Sequence, residues 1–302
     1  MISYEGLYEQ LRRVGITKTD LTAIGISSRT IAKIAKGEKL SRKTMLKIAN
    51  YLKCDADILY REISSNKILQ ILRDEKVAKI SGGLYHELQI LMTYNSNHIE
   101  GSRLTNEQTR MIFEINTIDI GDGVPVDDIL ETIHHFRAID YVIDVAEDEL
   151  TEEIIKHLHF IIKHDTKDAT LSWFAVGDYK RRANVVGGLE TTRPEDVLAR
   201  MKALLSDYNA KRVITINDVI AFHADFEYIH PFQDGNGRVG RLIILKECLR
   251  HNIIPFIIED RKKLFYYRGL SKWKTEKGWL TDTCLDGQDT FIKLLDILDI
   301  PH

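Results

Sequence analysis

A chain of 302 residues with 44% hydrophobic and 29% charged residues has the balance of a soluble globular protein and room for two domains. No apolar run approaches the roughly 18 residues of a membrane-spanning helix, and the first residues lack a secretory-signal pattern, so we expect a cytoplasmic protein with no membrane partner. Three widely spaced cysteines, Cys54, Cys248 and Cys284, argue against a disulfide framework and indicate free thiols.

The charge is spread unevenly along the chain. The net charge is −3, yet residues 1–53 hold eleven lysines and arginines against four acidic residues, a local charge of +7 that leaves −10 on the remainder. A basic segment attached to an acidic body indicates two partners or two tasks.

The first 62 residues predict a bundle of short helices, each bounded by glycine or by a capping serine, threonine or aspartate. The predicted helices lie near residues 4–13, 17–25, 27–36, 41–52 and from 55 onward. A helix, a tight turn at residues 25–27 and a second helix have the spacing of a helix-turn-helix. Residues 4–62 resemble the Cro/repressor-type DNA-binding domains.

In that type of domain the third helix enters the major groove by its N-terminal residues. The resemblance therefore implies DNA contacts from the side chains at the start of that helix, which are Ser27, Ser28, Arg29, Thr30 and Lys33. The alternative is a small helical bundle whose solvated basic face docks a protein. The DNA sequence that such a domain reads is not encoded in the pattern.

The middle of the chain predicts helices with one exception. Amphipathic patterns indicate helices near residues 84–101, 129–146, 150–163, 194–204 and 216–229. Valine and threonine around Gly187-Gly188 predict a short β-hairpin instead. His134 and His135 are adjacent on a predicted helix and point about 100° apart, so they cannot readily ligate one metal and are interpreted as structural.

The most informative stretch is residues 230–241, His-Pro-Phe-Gln-Asp-Gly-Asn-Gly-Arg-Val-Gly-Arg, which precedes an apolar helix. Gly235 and Gly237 flank Asn236 and leave backbone N–H groups open to an anion, since glycine has no side chain in the way. The helix that begins near Arg238 adds its positive N-terminal end. The stretch therefore predicts a phosphate-binding loop, although it lacks the P-loop pattern.

Charged residues of the same stretch complete the predicted site. Arg238 and Arg241 lie three residues apart on one helical face, so both can reach the same phosphate chain. Asp234 is placed to hold Mg²⁺ between phosphate oxygens. His230 lies close enough to act as a general base on an incoming hydroxyl.

This stretch resembles the signature of the Fic family, His-Pro-Phe-x-Asp-Gly-Asn-Gly-Arg-x-x-Arg, and every fixed position is filled. The resemblance implies a mostly helical fold with a β-hairpin flap, and transfer of AMP from ATP to a Ser, Thr or Tyr hydroxyl of a protein. It assigns the base to His230 and the Mg²⁺ ligand to Asp234. It assigns phosphate binding to Gly235, Asn236, Gly237, Arg238 and Arg241.

The family's flap pairs with an extended segment of the target by adding a strand. The resemblance places this flap at the predicted hairpin, with target docking by Val185, Val186, Gly187, Gly188 and Leu189.

A second family element lies far upstream, at residues 96–101. Ser-Asn-His-Ile-Glu-Gly resembles the Fic inhibitory motif, Ser/Thr-x-x-x-Glu-Gly/Asn. In the family the glutamate pairs with the second arginine of the signature, which implies that Glu100 binds Arg241 and blocks the γ-phosphate. Ser96 and Gly101 complete the element.

We therefore expect a mainly α protein with three parts: a helix-turn-helix domain at 1–62, a helical connector at 63–83 and a Fic domain at 84–302 that includes an N-terminal inhibitory helix and a C-terminal helical extension. The expected activity is autoinhibited protein adenylylation with ATP and Mg²⁺. The alternatives are a transcriptional regulator whose Fic domain senses nucleotide, and removal of AMP by a water that Glu100 orients. DNA is the second expected partner, and a homodimer is consistent with the reading of palindromic sites.

Overall fold

The computed structural model describes residues 2–62, 66–119, 123–186 and 189–302. The chain divides into two compact units, residues 1–70 and 71–302. The α-helices are α1 (Glu5–Val14), α2 (Ser28–Ala35), α3 (Arg42–Leu52), α4 (Lys67–Ala78), α5 (Leu84–Ile99), α6 (Asn106–Ile115), α7 (Val126–Asp144), α8 (Glu152–Lys163), α9 (Pro194–Asn209), α10 (Ile216–Ile229), α11 (Asn236–Arg250), α12 (Lys263–Lys272) and α13 (Gly278–Ile297). The strands are β1 (Ile2–Ser3), β2 (Arg61–Glu62), β3 (Val185–Val186) and β4 (Leu189–Glu190).

The first unit is a small bundle whose helices begin and end within about one residue of the predicted bounds. Ser27 Oγ accepts the Thr30 N–H at 3.2 Å, and Ser41 Oγ accepts the Thr44 N–H at the same distance. These bonds satisfy N–H groups that have no partner within the helix. The apolar side chains of the bundle meet in one core, formed by Leu7, Leu11, Leu21, Ile26, Ile31, Ile34, Met45, Ile48, Leu52 and Leu59.

The second and fifth predicted helices of this unit are tighter than expected. Lys18–Ile24 and Ala56–Ile58 are 3₁₀ helices. The first of them is confined between a capping pair, in which the Thr17 N–H donates to Asp20 at 2.7 Å, and a left-handed stop at Gly25. A segment this short gains too few bonds to establish an α-helix.

A two-residue strand pair that the sequence did not predict also belongs to this unit. β1 runs antiparallel to β2, with Ile2 opposite Glu62 and Ser3 opposite Arg61. The rest of the described bundle is helical, as expected of a helix-turn-helix domain.

The second unit is built around α11, whose residues from Arg238 to Leu249 are all buried. Helices α5, α7, α8 and α10 contact it, so a residue at its N-terminal end meets side chains from several helices. β3 and β4 pair antiparallel, with Val185 opposite Glu190 and Val186 opposite Leu189. Gly187 and Gly188, the predicted turn between them, lie outside the described residues.

The predicted fold class, mainly α with a small helix-turn-helix domain, is confirmed. Within the described ranges, no helix combines the length and the apolar character that crossing a membrane requires.

Candidate active site

The loop between α10 and α11 carries the residues that the sequence singled out. His230 ends α10 in the left-handed region, with φ of +52°, and Gly235 precedes α11 with φ of +80°. The left-handed conformation at Gly235 favours glycine because a Cβ would be strained there. These two reversals bring the histidine and the N-terminal end of α11 to one place.

Asn236 closes the loop on itself. Its side chain accepts the Phe232 N–H at 2.8 Å and donates to the Phe232 carbonyl at 2.9 Å. The Asn236 side chain is therefore occupied, and only its backbone N–H at the start of α11 remains for an anion. Of the phosphate binding that the resemblance assigns to Asn236, the part that remains is a contact through its backbone N–H.

Phe232 of the motif is fully buried and stacks on the His159 ring at 4.0 Å between centroids. The Gly177 N–H donates to His159 Nδ1 at 2.9 Å, so the ring proton lies on Nε2 and is donated to the Asp234 carbonyl at 3.1 Å. Burial lowers the pKa of His159 to about 3, which keeps this ring neutral. His159 thus supports the loop without carrying charge.

A buried lysine from α8 joins the acidic residues around the loop. Lys163 Nζ lies 2.8 Å from Asp234 Oδ2, 2.8 Å from Glu131 Oε1 and 2.9 Å from Asp168 Oδ2, and its side chain is 3% exposed. Arg238 pairs with Glu131 and with Asp234, the latter at 3.3 Å. One lysine and one arginine therefore share three carboxylates.

The donor set at Asp234 fits a hard divalent cation. Although burial opposes ionisation, the neighbouring Arg238 and Lys163 charges hold the pKa of Asp234 well below its usual range. Its side chain is 52% exposed, so an ionised carboxylate faces solvent beside the N-terminal end of α11. Carboxylate oxygen is the ligand type that Mg²⁺ prefers.

Arg241 is bound through Nη2 and Nε by residues at the end of α5. Its Nη2 donates to Glu100 Oε1 at 2.7 Å and to the Ser96 carbonyl at 2.9 Å, and its Nε donates to Ser96 Oγ at 2.9 Å. The Arg241 side chain is 4% exposed. The upstream element and the motif, far apart in sequence, therefore meet at this guanidinium.

Gly237 makes room for this approach. A Cβ built on Gly237 would collide with the Glu100 carboxylate and would lie 3.0 Å from Arg241 Nη1. Gly101 follows the glutamate with φ of +104°, a value that only glycine adopts readily. Glycines on both sides thus allow Glu100 to reach into the loop.

The His230 side chain is only 15% exposed and lies near the positive charge of Lys180. Burial, together with the Lys180 charge, lowers the pKa of His230 to about 4. Its Nδ1 lies 3.9 Å from Glu227 Oε2. The imidazole is therefore neutral at pH 7, which is the protonation state that a general base requires.

Glu227 occupies space that Gly240 leaves open. A Cβ at Gly240 would lie 2.6 Å from Glu227 Oε1 and 2.8 Å from His223 Nδ1. Burial, and after it the Glu100 charge, raises the pKa of Glu227 to about 8. On the other side of the cluster, His223 Nε2 lies 2.7 Å from Tyr266 Oη. The protonated carboxyl of Glu227 and the neutral imidazole of His223 thus pack together against Gly240.

The hairpin is tied to the motif loop at its base. The Lys180 N–H donates to the Pro231 carbonyl at 2.9 Å, and Asn184 Nδ2 donates to the Phe232 carbonyl at 3.2 Å. Lys180 Nζ also reaches Thr191 Oγ1 at 2.6 Å. These bonds fix the ends of the hairpin beside His230, where the sequence expected the flap.

The segment that leads into α12 holds the end of α5. The Asp260 N–H donates to Asn95 Oδ1 at 2.8 Å, and Asp260 Oδ2 lies 2.9 Å from His98 Nδ1. Tyr267 Oη donates to the Ile99 carbonyl at 3.1 Å. The helix end that carries the Arg241-binding carboxylate is therefore fastened from a third part of the chain.

On the first unit, the predicted DNA-contacting residues differ in availability. Ser28 and Arg29 are exposed, whereas Ser27 and Thr30 bond to each other at 2.9 Å. Lys33 Nζ lies 3.8 Å from Glu38. Ser28 and Arg29 thus offer the most accessible side chains on this end of α2.

Several residues of the site were missed from the sequence. Lys163, Glu131 and Glu227 come from outside the motif. A signal existed for Lys163 and Glu227, because both lie among buried residues on their helices, where a charged side chain needs a partner. Glu131 carries no comparable local signal.

Residues 149–248 match the Fic/DOC family, and residues 7–59 match the helix-turn-helix family. The chain is 30% identical over 182 residues to protein adenylyltransferase Fic from Drosophila erecta, covering 59% of this chain and 35% of that protein. The corresponding Drosophila melanogaster protein is 29% identical over 183 residues, covering 59% of this chain and 36% of that protein. The chain thus spans about a third of the length of these curated relatives.

Two solved structures show the same fold. One is a Fic domain containing signaling protein from Bacteroides thetaiotaomicron, with a TM-score of 0.60 and 22% identity over 77% of this chain and 95% of that chain. The other is Fic-1 from C. elegans, with a TM-score of 0.58 and 19% identity over 96% of this chain and 82% of that chain. The matches at residues 149–248 and 7–59 bear out the two resemblances drawn from the motifs, and these structures add the shared fold.

Proposed function

We propose that this chain, in which a Fic/DOC domain is fused to a helix-turn-helix domain, transfers AMP from ATP to a protein hydroxyl and restrains that activity through Glu100. The observation that carries the proposal is the arrangement of residues 230–241. A neutral histidine, an ionised aspartate and the N-terminal end of α11 lie together, next to two buried arginines. The adenylyltransferase relatives support AMP as the transferred group.

In the proposed reaction the backbone N–H groups at Gly235–Gly237 and the guanidinium groups of Arg238 and Arg241 hold the phosphates of ATP. His230 takes the proton of a Ser, Thr or Tyr hydroxyl. That oxygen forms a bond to the α-phosphorus while the bond from the α-phosphorus to the bridging oxygen breaks, and pyrophosphate leaves. Asp234 would hold Mg²⁺, which neutralises phosphate charge when bound.

The hairpin supplies the proposed docking site for the target. Its two strands are held beside His230 by Lys180 and Asn184. An extended target segment adding a strand along β3 would present its hydroxyl to the base. Val185 would contact the segment; Gly187 and Gly188 of the expected flap, and the side chains of Val186 and Leu189, lie outside what the structure describes.

The proposed restraint of AMP transfer arises because Glu100 and the γ-phosphate of ATP compete for the Arg241 guanidinium. Arg241 cannot bind the γ-phosphate through Nη2 and Nε while Glu100 and Ser96 accept hydrogen bonds from these two nitrogens. A charge-assisted bond of this kind contributes about 1.5–3 kcal/mol, which corresponds to roughly tenfold to a hundredfold in the occupancy of the productive state. We propose that removal of the Glu100 carboxylate raises AMP transfer by a factor in that range.

The test compares the wild type with Glu100→Gly and Glu100→Gln in cell lysate, using ATP labelled either at the α- or at the γ-phosphate. Glu100→Gly should incorporate α-label into protein at least about tenfold faster than wild type, and no variant should raise γ-label above that of lysate alone, where protein kinases transfer γ-phosphate. Incorporation of γ-label above that background would indicate phosphate transfer instead. Equal labelling by wild type and Glu100→Gly would reject the restraint, and mass spectrometry of the labelled band would identify the modified hydroxyl.

A second activity, hydrolytic removal of AMP from a modified protein, is favoured by the exposure of Glu100. Its Oε1 binds Arg241, yet its side chain remains 31% exposed at the motif loop, where the carboxylate can orient a water. An AMP-modified protein made with Glu100→Gly, repurified and given to wild type, should then release AMP, whereas Glu100→Gln should release none. Stable modification in the presence of wild type would exclude this activity.

For residues 1–62 we propose DNA binding through the exposed start of α2. The basic charge of this segment and its match to the helix-turn-helix family support the proposal. Binding to DNA that requires ATP, without transfer of label to any protein, would favour instead a regulator whose Fic/DOC domain senses nucleotide. A homodimer would place two copies of α2 on a palindromic site.

A further inference from the structure

Two histidines and an aspartate converge between α7 and the end of α8, apart from the motif loop. One potential ligand atom from each of His134, His164 and Asp165 lies within 4.8 Å of those of the other two. The rings of His134 and His164 stack at 3.9 Å between centroids, and His164 Nε2 lies 3.8 Å from Asp165 Oδ2. The proposed reaction makes no use of these side chains.

The backbone around the cluster fixes both rings in the same tautomer. His134 Nδ1 lies 3.4 Å from the Ile162 carbonyl, and His164 Nδ1 lies 2.8 Å from the Ile161 carbonyl and 3.0 Å from the Phe160 carbonyl. A carbonyl oxygen only accepts, so each Nδ1 carries the proton and each Nε2 keeps its lone pair. Metal-binding histidines have this arrangement, with one nitrogen held by a carbonyl and the other free to ligate.

The charge balance of the cluster also suits a cation. Two imidazoles, each with its Nδ1 proton on a carbonyl and its Nε2 lone pair free, and one carboxylate together carry a single negative charge.

The cluster is open to solvent on one side. His134 is buried, His164 is partly exposed, and the Asp165 side chain is 80% exposed. An ion can therefore reach the two nitrogens from the aspartate side and retain a water in its fourth position. Two imidazoles and one carboxylate with an open position form a donor set found in sites for zinc and related metals.

We propose that His134, His164 and Asp165 bind one divalent transition-metal ion of the zinc type. The ion would link α7 to the turn after α8, directly beside Lys163, whose Nζ holds Asp234 at 2.8 Å. The site differs from the motif site in its chemistry, since Mg²⁺ and Ca²⁺ prefer oxygen ligands and compete poorly for imidazole. The inference depends on the proposed AMP transfer in no step.

The test measures binding of Zn²⁺ and Co²⁺ to the full chain, by equilibrium dialysis with metal analysis and by the visible absorption of bound Co²⁺. We expect one equivalent of Zn²⁺ per chain and a rise in the thermal midpoint on addition of Zn²⁺, because binding to the folded state stabilises it. Mg²⁺ in excess should displace none of it. His164→Gln and Asp165→Asn should each weaken binding roughly tenfold or more.

Two matched variants locate the binding. His157→Gln removes an exposed histidine of the same helix that stacks on Phe160 but lies outside the cluster, and Asp234→Asn removes the carboxylate of the motif site. Both should bind Zn²⁺ as the wild type does. Because His134 is buried, the variants are made at His164 and Asp165, which reach solvent, and they should keep the metal-free thermal midpoint of the wild type.

The proposal fails if the wild type binds less than one equivalent at micromolar Zn²⁺. It also fails if His164→Gln and Asp165→Asn bind as tightly as the wild type. Loss of Zn²⁺ binding in Asp234→Asn, with retention in His164→Gln, would assign the ion to the motif loop and overturn the inference as well.

Discussion

The start of α2 and the motif loop are both regions of concentrated charge, and they handle that charge in opposite ways. Every buried side chain described between residues 6 and 60 is apolar, and the basic groups there face solvent. Around the motif loop, Lys163, Arg238 and Arg241 are almost completely buried, each with a carboxylate partner. Exposed basic side chains can attract a nucleic-acid backbone without a cost to the stability of the fold. A buried charged side chain, by contrast, needs an oppositely charged partner that is already in place in the folded protein.

This difference predicts two responses to change. Substitutions on α2 should alter binding and leave the fold intact. Substitutions of the buried charged residues around the motif should disturb fold and activity together, because each of them is held by residues from other helices. The predictions below test that contrast, from the largest expected effect to the smallest.

The largest effect should come from His230→Asn, made in a Glu100→Gly background. Asparagine tolerates the positive φ at this position, so the loop should keep its conformation while the base is lost. Incorporation of α-labelled phosphate should fall by roughly 10²–10⁴. An unchanged thermal midpoint is the control, and a variant that retains more than about a tenth of the parental rate would remove His230 from the base role.

Acidification should destabilise the second unit and leave the stability of the first unit largely unchanged. All eleven histidines lie at residue 86 or beyond, and burial holds the pKa of His159 and of His223 near 3 and that of His230 near 4. The unfolded chain binds protons on these groups near pH 6.5, so stability is lost as pH falls from about 6.5 towards 4, by about 1.4 kcal/mol per pH unit for each histidine. Glu227, with its raised pKa of about 8, acts in the opposite direction because its folded form favours the proton.

Hydrogen exchange at pH 7 and pH 5, corrected for intrinsic exchange rates, measures this difference in the intact chain. Protection should fall in peptides from α8, α10 and α11 and stay constant in peptides from α1 and α3. Equal loss in both units would show that histidine burial does not set the acid response.

Lys163→Met should destabilise the second unit by about 3 kcal/mol, the lower end for a broken buried pair, because Asp234 and Asp168 stay partly solvated. Lys156→Met is the matched control on the same helix: this lysine pairs with Glu152 and Asp178 but is 26% exposed, so its loss should cost under about 1 kcal/mol. Urea unfolding followed by tryptophan fluorescence reports on the second unit, since all three tryptophans lie there. Equal costs for the two variants would contradict the contrast.

Gly240→Ala should cost about 1–3 kcal/mol through overpacking against Glu227 and His223. Glu227→Val should relieve part of that cost, so the two substitutions should be less than additive. Gly278→Ala, where a Cβ meets nothing within 4 Å, should be neutral or stabilising. If the free-energy costs of the two substitutions were fully additive, the Glu227 carboxyl would not be the reason why position 240 holds a glycine.

The smallest change in fold should come from Arg29→Ala on the exposed face of α2. Binding to DNA should weaken by about 1–3 kcal/mol if the guanidinium reads a base, or uniformly with a reduced salt dependence if it contacts a phosphate. Thermal stability and AMP transfer should both remain unchanged. A drop in stability would show that this region also depends on its charges for folding.

The motif loop was predictable because its chemistry is local. His230, Asp234 and Arg238 are separated by four residues each, so a turn and one helix bring them together whatever surrounds them. Lys163 belongs to the same ion cluster as Asp234 but lies 71 residues earlier. No local pattern specifies such a contact, and only the packing of α8 against α11 creates it.

Short elements were the least predictable part of the fold. The short helix predicted at residues 17–25 is a 3₁₀ helix because the capping pair and the left-handed glycine leave only seven residues between them. The pair of β1 and β2 joins the two ends of the first unit by two residues each, which is too short to show an alternating pattern. Among the longer helices, α10 was predicted to the residue, whereas α7 was predicted at residues 129–146 and runs from Val126 to Asp144.

The crowding at Gly237 has a consequence for how this protein can change under selection. The position admits the Glu100 carboxylate for the same reason that it would admit a phosphate, because no side chain stands in the way. An allele that placed a methyl group there would expel the Glu100 carboxylate and, in the proposed reaction, the phosphate as well. Gain-of-function alleles should therefore arise in α5 or in the segment around Asp260 and Tyr267 that fastens it, and the motif itself should yield only loss.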